Sequence, residues 1–67
     1  MKVTVKLPTG VQYLSLDLLE EVLRVTPLTG LKTLLETNEK LEYYEACIEI
    51  SKMINELESI IEDQQLS

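Results

Sequence analysis

Cys47 is the side chain in this sequence best suited to nucleophilic chemistry, and the chain holds no histidine to activate it. Ser15, Ser51 and Ser59 lack the same partner. Cys47 falls within an apolar repeat, where a small buried hydrophobe is expected, so its reading is core rather than catalysis. Glu42, Glu45 and Glu49 lie three and four apart, and Glu56 continues their line at helical spacing. A hard cation would need further oxygen ligands from a loop, which this segment does not offer. The stripe therefore reads as an acidic face turned to water or to a basic partner. "LPTGVQ" carries one glycine and no lysine in phosphate-loop spacing, so nucleotide binding is not indicated. No catalytic residue, metal or cofactor is expected.

Charge narrows the partners. The chain of 67 residues has a formal net charge of −6, and its six basic residues are scattered without forming a patch. Direct nucleic-acid binding relies on clustered Lys and Arg, so it is disfavoured. Glu58, Glu62 and Asp63 crowd the C-terminal half of the last apolar repeat, where negative charge opposes a helix dipole. Acid kept there suits solubility or a basic partner.

The elements that must carry these residues follow from periodicity. Val3, Val5 and Leu7 alternate with Thr4 and Lys6, the pattern of a strand, and "PTG" supplies a turn. "VQYLSL", Val11–Leu16, reads as the returning strand. This opening, a strand, a short "TG" turn and a second strand, resembles in pattern the first hairpin of ubiquitin-like β-grasp domains. The resemblance covers about the first 16 residues; nothing later reads as the remaining strands, and no function is carried over from it.

Residues 17–37 read as short helices. Ser15 or Asp17 can cap the first, whose Leu18, Leu19, Val22 and Leu23 share a face. Pro27 opens the second with Thr26 as its cap, and Leu28, Leu31, Leu34 and Leu35 form its stripe. The polar run "ETNEK" interrupts that stripe, with Asn38 as helix stop or cap. Residues 38–63 then read as one long helix of about 39 Å, and 64–67 as a frayed tail.

That helix carries two apolar arcs. Tyr43, Cys47, Ile50, Ile54, Leu57 and Ile61 repeat at heptad spacing, while Leu41, Tyr44 and Ile48 lie on another face. The hairpin and short helices are too small to cover both. The shorter arc is expected to receive them, leaving the heptad arc for a second copy in a coiled-coil dimer; the alternatives are a compact monomer whose helix bends back over a small core, and a different partner chain. Tyr13, Tyr43 and Tyr44 are the only aromatic residues; the adjacent pair is expected to point one ring into each interface.

The fold class expected is thus α+β: hairpin, short helices and a long dimerising helix. The lone Cys47 cannot close an intramolecular disulfide, no run is long enough to span a membrane, and "MKVTVKLPTG" lacks the apolar core of a signal peptide, so a cytoplasmic protein is expected. The function expected is a non-enzymatic interaction module or regulator acting as a homodimer. The alternative is an acidic decoy in the basic groove of a nucleic-acid-binding protein, of the phage-encoded or antitoxin-like kind.

Overall fold

The computed structural model describes the backbone of residues 1–66 and the side chains of residues 1–61. Strands β1 (Lys2–Leu7) and β2 (Gly10–Ser15) form an antiparallel hairpin, followed by helices α1 (Leu16–Arg24), α2 (Leu28–Lys40) and α3 (Tyr44–Leu66). The architecture is α+β, as the alternation and the later helical periodicity predict.

The hairpin register pairs Leu7 with Gly10 and Lys2 with Ser15 across a turn at Pro8 and Thr9. Gly10 sits at φ +130°, a conformation side chains other than hydrogen rarely adopt. Alternation turns Val3, Val5 and Leu7 into the core, and all three are buried. Ser15 is the cap of α1: its Oγ accepts from the Leu18 amide at 3.3 Å. Leu16, expected to end the strand, begins this helix instead.

Thr26 does not cap α2. Its hydroxyl donates back to the Val22 carbonyl at 2.7 Å, and Pro27 itself takes the cap position, its carbonyl accepting from the Leu31 amide. Nor does α2 stop at the polar run. It continues through "ETNEK", and Asn38 lies inside it, 0% exposed. The Asn38 Oδ1 accepts from the Lys6 amide at 2.8 Å, while Nδ2 donates to the carbonyls of Lys6 at 3.1 Å and Leu34 at 2.7 Å. A side-chain amide thus completes the outer edge of β1 as another strand would. Removing it would strand buried backbone groups, each at about 1–3 kcal/mol.

The expected helix over 38–63 is therefore two helices. The break lies at Leu41–Tyr43, where Glu42 adopts φ +63°. The Glu42 amide donates to the Glu39 carbonyl and the Tyr43 amide to the Asn38 carbonyl, the paired bonds of a Schellman stop. Glycine usually fills the left-handed position; glutamate there is strained. Beyond the break α3 continues to Leu66, past the expected end at Asp63, and residue 67 lies outside the described residues.

Reversal at this corner folds α3 back along α2, and Lys32 near the start of α2 meets Glu58 late in α3 at 3.7 Å. The core between them and the hairpin is built from Val3, Val5 and Leu7 of β1, Leu19 and Leu23 of α1, Leu31 and Leu34 of α2, and Ala46, Ile50 and Ile54 of α3.

Burial of the two arcs differs from that expected. Of the heptad set, Cys47, Ile50 and Ile54 are buried within the chain, and Tyr43 and Leu57 pack against the same core; Ile61 alone is exposed. Leu41, Tyr44 and Ile48, expected to receive the hairpin, are 44%, 63% and 55% exposed. The physical reason is the break itself. An α2 extended to Lys40 supplies enough apolar surface to cover the heptad face.

Replacing Glu42 with glycine removes the left-handed strain and should raise stability by about 0.5–1 kcal/mol. Urea unfolding checks this: the midpoint should rise at constant slope, whereas a fall would mean that the Glu42 side chain supports the corner.

Candidate interaction surface

The corner between α2 and α3 places Leu41, Glu42, Tyr43, Tyr44 and Glu45 side by side. Tyr43 is half-buried because the stop turns its ring toward the core, a contact that commonly accompanies this kind of helix end. Leu41, Tyr44 and Ile48 continue outward as an apolar ridge. Beside it stands the solvent face of the hairpin, where register sets Tyr13 opposite Thr4 and next to Lys2.

A concavity of about 370 Å³ opens between them, lined by Lys2, Thr4, Tyr13, Glu42, Tyr43, Tyr44 and Glu45. All three tyrosines of the chain meet there. On one continuous helix Tyr43 and Tyr44 would point to different interfaces. Tyr43 instead belongs to the stop and Tyr44 to the first turn of α3, so both flank the same hollow. Lys2 Nζ lies 5.7 Å from the Tyr13 ring centroid, within the range of a cation–π contact.

A second hollow, about 240 Å³, shares Glu45 as a wall and is lined chiefly by Met1, Val3, Leu16 and Ile48. The apolar ridge thus has a concave flank on either side of Glu45. A third concavity, about 510 Å³ and mostly apolar, lies at the hairpin tip among Leu7, Pro8, Val22, Thr26, Gly30 and Leu34.

Of the acidic stripe expected from Glu42, Glu45, Glu49 and Glu56, the last three lie together on α3, Glu45 and Glu49 sharing the second hollow, and only Glu42 falls outside that helix. Glu42 sits in the stop and Glu45 beside it at the tyrosine concavity. Glu49 is held by Lys52 at 3.2 Å and, with Glu56, lines a cleft beside Glu20, Arg24 and Lys52. Among the described residues no ion pair uses Glu42 or Glu45, so their charge remains available at the concavity.

Cys47 is buried in α3, and burial raises its thiol pKa above the ordinary value, with Glu39 adding in the same direction. The neutral thiol is favoured on folding, and a buried neutral thiol is a poor nucleophile. The thiol's contribution to stability is complete below the unfolded thiol's range, about 8.5, and is lost as pH rises through that range toward the higher folded value. Among the described residues no cluster of His, Cys, Asp and Glu is placed to hold a metal ion, and no helix is long and apolar enough to cross a membrane.

At pH 8 a thiol reagent such as Ellman's should label Cys47 in the native protein at least about 100-fold more slowly than in urea, because labelling must await opening of the fold. Equal rates in the two states would place the thiol at the surface.

Comparison with protein-family models, with curated proteins and with solved structures finds no match to this chain.

Proposed function

We propose that the protein is a non-enzymatic protein–protein interaction module whose docking surface is the ridge Leu41, Tyr44 and Ile48 at the α2–α3 corner. The observation that carries this reading is the exposure of those side chains in a chain whose other long apolar arc is filled internally. Contiguous apolar surface with polar residues at its rim is the usual mark of a docking site. The absence of histidine and the burial of Cys47 leave little for catalysis to use.

Charge favours a basic partner over a second copy. The homodimer was expected because the heptad arc would lie uncovered, and the chain itself covers most of that arc. Pairing two copies through the ridge would bring Glu42 and Glu45 of each toward the other in a molecule of net charge −6. A basic groove meets the same surface with complementary charge. The acidic decoy of a nucleic-acid-binding protein is one form of this reading.

A photo-crosslinking residue at position 48, compared with one at the exposed position 29 on α2, tests the assignment in the cells that make the protein. The expected outcome is an adduct with a basic protein from position 48 and none from position 29, with an isolated mass of 7.7 kDa by light scattering. Equal labelling from both positions would overturn the docking surface. A self-adduct of twice that mass would assign the ridge to a second copy.

A further inference from the structure

We propose that the concavity between Tyr13, Tyr43 and Tyr44 receives a cationic side chain, an ammonium or a guanidinium, from the protein partner. The inference deepens the docking reading above by naming what the partner presents. Three features of the hollow converge on it. Every aromatic ring the chain possesses lines this one place, although Tyr13 lies far from the other two in sequence. A ring face carries negative quadrupole density, and rings grouped around a pocket are how proteins bind ammonium groups without a buried counter-ion.

The second feature is Lys2. Its ammonium already stands 5.7 Å from the Tyr13 centroid, so the chain's own cation rests at the rim in the geometry an incoming one would use. The third is charge. Glu42 and Glu45 share the lining and take part in no ion pair among the described residues, so they can neutralise a cation held between the rings. An anion would meet two carboxylates, and a neutral side chain would gain neither attraction. A volume of about 370 Å³ accommodates the end of a lysine or arginine side chain and lies within the ordinary range of ligand pockets. Lys2 is then an internal competitor, displaced when the partner's cation enters.

The chain contains no Trp, so tyrosine emission reports on this concavity. The probes are neutral heptapeptides bearing one lysine, one trimethyllysine or one norleucine at the centre. Both cationic peptides should change tyrosine emission saturably, and the norleucine peptide should not. Tyr44→Ala and Glu45→Gln should each weaken the cationic peptides by about 5-fold or more, and Lys2→Ala should tighten them. Tyr44 and Lys2 are exposed, and unchanged circular dichroism of these variants confirms that the fold is retained. Val25→Ser, exposed and outside both the ridge and this concavity, should leave peptide binding as it is. Norleucine binding equal to lysine, or no response to either cation at millimolar concentration, would overturn the proposal. If position 48 captures no partner while the cationic peptides still bind, the docking ridge fails and the cation site stands. The converse result separates them the other way.

Discussion

The Asn38 side chain is the constraint on which the remaining geometry depends. A two-stranded hairpin is marginal in water by itself, and the polar groups along the edge of β1 would be stranded where helices cover them. Asn38 resolves this at Lys6 by supplying one acceptor and one donor, while its second amide hydrogen returns to Leu34 of its own helix. Three hydrogen bonds from a residue with 0% exposure are demanding to satisfy and costly to lose. They fix the rotation of α2 about its axis and its height along β1. With those set, Leu31 and Leu34 face the core, and the corner after α2 shares a concavity with Lys2, Thr4 and Tyr13 of the hairpin.

The corner follows from that placement. With α2 anchored three residues before its C-cap, the chain must reverse at once if Ala46, Ile50 and Ile54 are to reach the core formed by β1 and α1. The left-handed Glu42 and the paired hydrogen bonds to Asn38 and Glu39 achieve the reversal. The local cost is offset by the burial of Tyr43 and by the packing of α3 along α2. Asn38 thus works at two levels, its side chain holding β1 and its carbonyl helping to stop its own helix. The same reversal leaves Leu41, Tyr44 and Ile48 outside and brings the last two tyrosines beside Tyr13. The candidate surface is a consequence of how the core is closed.

Much of this was legible in the residues themselves. Period-two alternation and "PTG" locate the hairpin, and Ser15 announces α1. What could not be read was the break at Glu42, because a stop built on glutamate lacks the glycine that marks most of them. Joining Asn38–Lys40 to α3 instead of α2 then shortened the element that covers the heptad arc and made that arc seem bare. Spacing of three and four describes packing against another helix equally well whether that helix belongs to the same chain or to a second one. Glu45, Glu49 and Glu56 keep their helical line on α3, whereas the departure of Glu42 from it depends on the corner. The meeting of Tyr13 with Tyr43 and Tyr44 is a tertiary fact with no local signal.

The anchoring of β1 by Asn38 is tested most directly by amide hydrogen exchange at single-residue resolution. Lys6 spends its amide on Asn38, and alternation then points the amides of Val11 and Tyr13 away from β1 along the open edge of β2. Lys6 is expected to exchange as slowly as the core amide of Ile50, while Val11 and Tyr13 exchange rapidly. Lys6 exchanging as fast as Val11 and Tyr13 would contradict the Asn38 anchor, and with it the placement of α2 and the corner.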